Sequence, residues 1–421
     1  MRWGHLAAGV AVAAAVWFPA GQAFAHAELE ATVPAANAVL DTSPPAIVLD
    51  FDEAVDAGLS TIELYDQSAQ LVAIGRPAAG DDTTTVQSSV PTLADGVYVV
   101  VWRVASYDGH VVDGVFSFTV GPARLFDVGA LIDRVSGDAA ATSTVGRLET
   151  AARLLGTIGL VVLLGGGLLA LQVADVGANR MLLRMAWAFL LIGALGQFGM
   201  YGAKVVAGTP SDALDPSVWD KVADSHTGGI LMIRVLLVVV SSALLRTWPH
   251  RKRRLWRGSA VVMTLGIITT FATIGHAYTQ HPAALWVAID ALHLVAIAVW
   301  IGGLLMLAFG TSSWLVDADT EVVVRRFSTS AMVAVPVIVA TGAAQTLRLA
   351  DLDDVSQTSW GRLLLVKVAA VTVLIAIGGV SQWLLRNDGP SSVRRNVLVE
   401  ALIGVGVIGL AAALIALPPN G

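Results

Sequence analysis

The chain has 421 residues, of which 55% are hydrophobic and only 14% are charged. Soluble globular proteins carry about a quarter charged residues, so this composition excludes a purely soluble chain. The formal net charge of −6 argues against a nucleic-acid-binding protein. The sequence contains no cysteine, which excludes disulfides and thiolate metal ligands and leaves methionine and histidine as the soft donors.

Residues 1–25 have the pattern of a signal peptide. A basic start precedes the apolar run from Leu6 to Phe18, and the segment ends in the small-x-small sequence Ala23-Phe24-Ala25. Cleavage there makes His26 the first residue of the mature chain. Its α-amine and imidazole can then chelate one metal ion, and nitrogen donors suit Cu(II). The alternative is cleavage one or two residues away, which leaves His26 as an ordinary surface histidine.

Residues 26–121 have the alternation of apolar and polar residues that half-buried strands show. Turn residues such as Pro44-Pro45 and Asp95-Gly96 separate these stretches. About seven short strands in so small a region favour an all-β sandwich or Greek-key barrel, of the immunoglobulin-like or cupredoxin-like kind.

Candidate metal ligands lie between the last two predicted strands, in a segment that we expect to be an exposed loop. Asp108 and His110 flank Gly109, so strand alternation places both side chains on one side of the backbone. The sequence Asp-Gly-His alone is more often a turn than a ligand pair. Combined with the amine and imidazole of His26, it predicts a Cu(II) site.

A linker over residues 122–148 and a membrane domain over 149–417 are predicted next. Eight apolar stretches are each long enough to cross a hydrocarbon core of about 30 Å. Their approximate bounds are 149–172, 181–206, 227–246, 257–278, 285–310, 327–348, 361–385 and 397–417. Most basic residues follow the odd-numbered spans, which predicts a multi-pass protein of the bacterial inner membrane with the N-terminal domain and the C-terminus on the periplasmic side.

Polar and thioether side chains within the spans are candidates for a copper path, because burying them in lipid is costly. His293 follows Asp290 by three residues on nearly the same helix face, so Asp290 either orients the imidazole or binds a cation. His276 ends the fourth span, while Met200 and Met232 lie near the outer ends of the second and third. Imidazole and thioether suit copper, and methionine favours Cu(I). The alternative is that the methionines pack or face lipid.

Several motifs in the β domain are specific. They are His26, Pro34–Leu40, Phe51–Val55, Trp102–Ser106, Asp108-Gly109-His110 and Gly114–Phe118. On these residues the domain resembles the periplasmic copper-binding family CopC. The resemblance implies Cu(II) ligands at His26, Asp108 and His110. Because the domain lacks methionine, we expect no Cu(I) site in it.

The membrane part has looser motifs, at Gly275–Ala277, Leu292–Leu304 and Thr358–Lys367. It resembles the CopD family of copper resistance and uptake proteins. A CopC–CopD fusion implies copper import, with Cu(II) captured outside and passed to the membrane domain, where Cu(I) is a further possibility. Its partners would be copper ions, the lipid bilayer, a periplasmic copper donor and a cytoplasmic copper acceptor.

Two other functions stay open at this point. His276 and His293 could bind a haem in a membrane redox protein. Alternatively, the chain could sense or store copper without transporting it. No Gly-x-x-x-x-Gly-Lys-Ser/Thr sequence is present, so ATP does not drive transport from within this chain, and we expect no enzymatic activity.

Overall fold

An N-terminal β domain precedes a helical domain in the computed structural model. The structure describes residues 27–122, 127–135, 139–172, 180–279, 282–310, 318–349, 357–388 and 394–415. The strands are β1 Leu29–Val33, β2 Val39–Leu40, β3 Ala46–Phe51, β4 Val55–Asp66, β5 Leu71–Val72, β6 Ala78–Ala79, β7 Thr85–Ser89, β8 Gly96–Ser106 and β9 Val111–Val120.

The strands form two facing sheets, with the orders β1-β3-β7-β6 and β2-β9-β8-β4-β5. Alternate residues of β3, namely Ile47, Leu49 and Phe51, are buried between the sheets, as the period-two pattern predicts. Phe51 meets Trp102 of β8 edge-on, with 5.5 Å between ring centroids. The predicted β-sandwich is therefore confirmed, and it is the sandwich rather than the closed barrel that forms.

Helices make up the rest of the described chain. They are α1 Val128–Val135, α2 Ala139–Gln172, α3 Arg180–Val205, α4 Pro216–Ala223, α5 His226–Arg246, α6 Arg254–Ala272, α7 His276–Thr279, α8 Ala283–Ile297, α9 Gly303–Gly310, α10 Ala318–Leu349, α11 Ser359–Asn387 and α12 Arg394–Ile415. Eight helices of the described chain are long and apolar enough to span a membrane, with α8 and α9 counted as one. The prediction of an eight-span helical membrane domain is confirmed.

The stretch predicted as a linker, residues 122–148, contains more helix than the sequence indicated. It includes α1 and the first turns of α2, which begins at Ala139 instead of near 149. Leu131 of α1 is buried, and α1 lies against β8. Small helix-forming alanines at 139–141 explain the early start of α2.

The fifth span is interrupted by a π-helical turn, Ala298–Gly302, between α8 and α9. This turn packs closely against α2. A Cβ atom at Gly165 would collide with the carbonyl oxygen of Ala298, and one at Gly302 would collide with that of Val161. Only glycine allows backbones to approach this closely. Gly302 therefore marks a tightly packed helix face.

The β domain packs on one end of the helical bundle. An Nη atom of Arg103 in β8 donates to the carbonyl oxygen of Lys204, near the end of α3, at 3.1 Å. Leu59 and Ala105 join an apolar cluster with Tyr201, Val222 and Leu231 of the helical domain. The last residue of α12, Ile415, also contacts the β domain. An even number of spans thus returns the end of α12 to the side on which the β domain lies.

Candidate metal centre

The loop between β8 and β9 brings the predicted Asp108 and His110 together. Asp108 Oδ2 lies 2.7 Å from His110 Nδ1, and Asp108 Oδ1 accepts from the His110 backbone N–H at 2.8 Å. Gly109 between them has a φ of 92°, in the left-handed region that glycine adopts without strain. The loop backbone thus holds a carboxylate and an imidazole in contact, although they are only two residues apart.

The base of this loop is fixed by side chains from the neighbouring turn. Ser106 Oγ donates to Glu53 Oε1 at 2.5 Å and accepts from the Asp108 backbone N–H at 3.2 Å. Glu53 lies in the turn between β3 and β4, so its position is set by the sheet rather than by the loop. This support restricts the rotation of the Asp108–His110 pair.

The start of the described chain is bonded to Asp52, which lies within electrostatic range of Asp108. Ala27 is 5% exposed, and the Glu28 backbone N–H donates to Asp52 Oδ1 at 2.7 Å. Burial raises the pKa of Asp52, and the nearby Asp108 carboxylate adds to the rise. His26, the third predicted ligand, lies outside the described residues. Its near neighbour Glu28 is bonded to Asp52, at a point where a cation would offset the repulsion between the Asp52 and Asp108 carboxylates.

Both ring nitrogens of His110 face hydrogen-bond acceptors. Nδ1 faces the Asp108 carboxylate, and Nε2 lies 2.8 Å from the carbonyl oxygen of Ile415. A carbonyl oxygen only accepts, so His110 Nε2 is the donor in its bond to Ile415. A metal ion bound to His110 must replace one of these two bonds.

The loop is buried, which corrects the expectation of an exposed one. Asp108 is 1% exposed and His110 is 9% exposed. Thr227 Cγ2 and Ile274 Cγ2 would lie 3.3 Å and 3.1 Å from a Cβ added at Gly109, so the helical domain covers the loop. The expectation failed because the sequence shows that a loop follows a strand but not that a second domain packs on it.

An aromatic stack joins the loop to the helical domain. The ring of Tyr107 stacks on His226, the first residue of α5, at a centroid distance of 4.8 Å. On its other face His226 meets Tyr278 of α7 at 4.6 Å. His226 is not among the residues that the sequence patterns predict for the site. The available signal was a histidine directly after Ser225, whose side chain accepts from the Gly228 backbone N–H and caps α5.

A buried ion cluster lies below the loop. Glu149 of α2 is 7% exposed, and its two carboxylate oxygens pair with Arg153 at 3.1 Å and Lys204 at 3.3 Å. His110 is close enough to Glu149 to interact with its charge. The loop is therefore coupled by electrostatics as well as by packing to the ends of α2 and α3 that lie nearest the β domain.

His293 is the best-defined of the candidate residues within the membrane spans. Its Nδ1 lies 2.7 Å from Thr341 Oγ1 on α10. The Thr341 hydroxyl donates its own proton to the carbonyl oxygen of Val337 at 2.6 Å, so it accepts from His293 Nδ1–H. This assignment leaves a lone pair on Nε2, which is the form of imidazole that binds metals. Thr341 thus orients the ring, which was one of the two roles expected for Asp290.

The other predicted residues of the copper path do not converge in the described chain. Asp290 Oδ1 accepts from Gln345 Nε2 at 2.9 Å. Met200 packs near Val145 and Ala213, while Met232 is 44% exposed on the surface of α5. His276 begins α7, but its side chain lies outside the described residues, so the proposed haem pair stays a hypothesis. Among the described residues, no group of three His, Asp or Glu side chains could hold a metal ion.

Three family models match this chain in succession. Residues 29–121 match the CopC domain, residues 146–281 match the N-terminal domain of copper resistance protein D-like proteins, and residues 321–414 match copper resistance protein D. The chain therefore carries a CopC domain followed by the two parts of a CopD-type domain. The β domain is thus its CopC domain, and the helical bundle is its CopD domain.

Two curated relatives extend the assignment. Copper transport protein CutJ of Bacillus subtilis is 26% identical over 412 residues, covering 94% of this chain and 74% of CutJ. Copper resistance protein C of Xanthomonas campestris pv. juglandis is 32% identical over 105 residues, covering 23% of this chain and 82% of that protein. The CopC domain also matches the crystal structure of CopC from Methylosinus trichosporium OB3b, at 33% identity and a TM-score of 0.22. That match covers 24% of this chain and all of that chain. The family models, the CutJ match and the eight candidate spans together make the chain a multi-pass membrane protein of a copper transport and resistance family.

Proposed function

We propose that this protein imports copper across the inner membrane. The CopC domain captures Cu(II) on the periplasmic side and passes copper to the CopD domain, which carries it inward. The observation that supports this proposal most directly is the seating of the Asp108–His110 loop on the outer ends of the membrane spans. A capture site that only stored copper would have no need to be covered by the helices of a membrane domain.

The capture site is composed of the His26 amine and imidazole with Asp108 and His110. This donor set consists mainly of nitrogen atoms with one carboxylate, a combination that suits Cu(II). Asp52 and Asp108 lie close together at this point, so a divalent cation relieves the repulsion between their charges. Glu149 contributes a further negative charge near His110 but is already paired with Arg153 and Lys204. Copper enters by replacing one of the two hydrogen bonds of the His110 ring.

Beyond the capture site, the CopD domain offers His293 as a ligand. Its lone pair on Nε2 is set by the bond from Nδ1 to Thr341, and α8 and α10 hold the two residues in register. Lys367 lies within electrostatic range of His293, and its positive charge weakens cation binding there. A weak site of this kind suits a residue that passes copper on rather than retaining it.

The test is copper accumulation in cells and in sealed vesicles of both orientations, with the full chain and with His110→Ala. His250→Ala is a matched control, because His250 is an exposed histidine in the turn after α5. We expect wild-type and His250→Ala proteins to accumulate copper and His110→Ala to lose most of this activity. Equal accumulation by His110→Ala and wild type would exclude the CopC domain as the source of transported copper.

A further inference from the structure

A histidine at the junction of the two domains has no role in the capture site. His226 lies at the first position of α5, stacked on Tyr107. Tyr107 belongs to the loop between β8 and β9 that carries Asp108 and His110, which we call the capture loop. Within the described part of the chain, the Nε2 atom of His226 is buried and has no hydrogen-bond partner. Buried polar atoms are nearly always hydrogen-bonded, and an exception calls for an explanation such as an absent ion or water.

The surroundings of His226 fix its ring without supplying that partner. Tyr107 stacks on one face at an interplanar angle of 9°, and Tyr278 stacks on the other at 29°. The ring can therefore neither swing to solvent nor turn its edge to another acceptor without breaking both stacks. Such a held imidazole, with an unpaired nitrogen, is preorganised for a metal ion.

Charge near His226 also favours a cation. Asp56 Oδ2 lies 3.4 Å from the backbone nitrogen of His226, and its carboxylate is close enough to act on the ring. Asp56 belongs to β4 of the CopC domain, whereas His226 belongs to the CopD domain. The site therefore exists only when the two domains are in contact.

The capture loop is adjacent to this position. Tyr107 directly precedes Asp108, its carbonyl oxygen lies 3.4 Å from Thr227 Oγ1, and Thr227 is next to His226. We infer that His226 is a second copper ligand, which receives copper from the Asp108–His110 loop at the entrance of the CopD domain. The delivery step rests on the proposed import function, whereas copper binding by His226 does not.

Binding is tested with copper alone on the full-length protein in lipid nanodiscs, in a His110→Ala background that removes the capture site. The bound copper per chain is measured at equilibrium with and without the additional substitution His226→Gln. Glutamine keeps hydrogen bonding but is a poor copper ligand. We expect His226→Gln to remove one equivalent of bound copper, and His250→Gln to remove none. The same stoichiometry with and without His226→Gln would overturn the inference.

A second variant guards against loss of folding. His226→Cys places a different copper donor at the same point, and the protein otherwise contains no cysteine. We expect His226→Cys to restore the lost equivalent and to give a copper–thiolate absorption band, provided that His226 faces a copper position. Absence of this band in folded His226→Cys protein would also overturn the inference.

Measurements of copper uptake distinguish a failure of the His226 ligand role from a failure of the proposed import function. In an otherwise wild-type chain, we expect His226→Gln to leave the Cu(II) signal of the capture site unchanged while copper uptake falls by at least about tenfold. If wild-type protein transports no copper but His226→Gln still removes one bound equivalent, the import proposal fails and the ligand role stands. Wild-type uptake by His226→Gln would exclude the delivery step.

Discussion

His110 Nε2 and the carbonyl oxygen of Ile415 are 2.8 Å apart, so the capture loop of the CopC domain is bonded to the last turn of the last membrane span. The two residues are separated by 305 positions in the sequence. Because the other ring nitrogen faces Asp108, copper binding to His110 must disrupt either this contact or the contact with Asp108. Copper occupancy and the position of α12 are therefore linked.

The first prediction concerns this link. If copper takes Nε2, the carbonyl of Ile415 loses its partner, and we expect faster amide hydrogen exchange in the last turn of α12 after Cu(II) is added. His110→Gln is the control, because glutamine still donates to a carbonyl oxygen but binds copper poorly. Its exchange should not respond to Cu(II). An unchanged exchange rate in copper-loaded wild type would mean that copper displaces the Asp108 contact instead.

The second prediction is that His110→Ala lowers Cu(II) affinity by at least about 100-fold. The imidazole is a proposed ligand, and its loss also leaves Asp108 without its 2.7 Å partner. Competition titration of the full chain against a Cu(II) chelator measures the effect, with His250→Ala for comparison. Affinity within a factor of two of wild type would remove His110 from the site.

The third prediction separates the His26 amine from the His26 ring. One extra residue before His26 moves the free amine away from the imidazole and should weaken Cu(II) binding and change its spectrum. A free amine has a pKa of about 7.7–8.0, so protons compete with copper near neutral pH, and affinity should fall as the pH drops from about 8 to 6. An extended chain with native affinity and spectrum would show that the amine is not a ligand.

The fourth prediction uses the raised pKa of Asp52. A carboxyl whose pKa is raised on folding binds its proton more tightly in the folded state, so ionisation destabilises the fold as the pH rises from the ordinary value of 3.8 through the raised pKa. Asp52→Asn removes this cost and keeps an oxygen for the Glu28 N–H. We expect the copper-free variant to unfold at a higher temperature than wild type at pH 7, with no such difference below pH 3.8.

With Cu(II) bound, we expect the opposite order of unfolding temperatures, with wild type above Asp52→Asn. The Asp52 charge favours a bound cation, so Asp52→Asn should bind Cu(II) more weakly than wild type at pH 7. Thermal unfolding with and without Cu(II) measures both effects on one sample. A variant that is less stable than wild type without copper would contradict the assigned burial cost.

The fifth prediction tests His293 within the membrane domain. His293→Gln should insert and fold, leave Cu(II) binding by the CopC domain intact and sharply reduce copper uptake. Thr341→Val is the matched variant, because it removes the acceptor at 2.7 Å that fixes the tautomer but keeps the imidazole. We expect an intermediate loss of uptake for Thr341→Val. Wild-type uptake by His293→Gln would leave this histidine with a packing role, worth about 1 kcal/mol as a hydrogen bond.

Local patterns predicted the elements of this fold well. The eight spans follow from runs of apolar residues, and the β strands follow from the alternation of apolar and polar residues in the N-terminal region. The contact of Asp108 with His110 followed from their spacing around Gly109. Each of these features depends on residues that are close in sequence, where geometry restricts the possible arrangements.

The contacts between the two domains could not be predicted from local sequence patterns. His226 stacks on Tyr107, and His110 meets Ile415, only because a β-sandwich and a helical bundle pack in one orientation. Neither partner has a pattern that specifies the other. The burial of the Asp108–His110 loop depends on the same packing, so the sequence indicated a free loop where the structure has a covered one.

The stack of Tyr107, His226 and Tyr278 has a kinetic consequence. A copper donor that diffuses to its acceptor delivers metal at a rate that rises with its concentration. Here the donor loop already rests on the acceptor, so under the proposed function the handover is a first-order event whose rate depends on ligand exchange alone. Dilution of the protein or depletion of soluble carriers should then slow the loading of the capture site but leave the handover step unchanged.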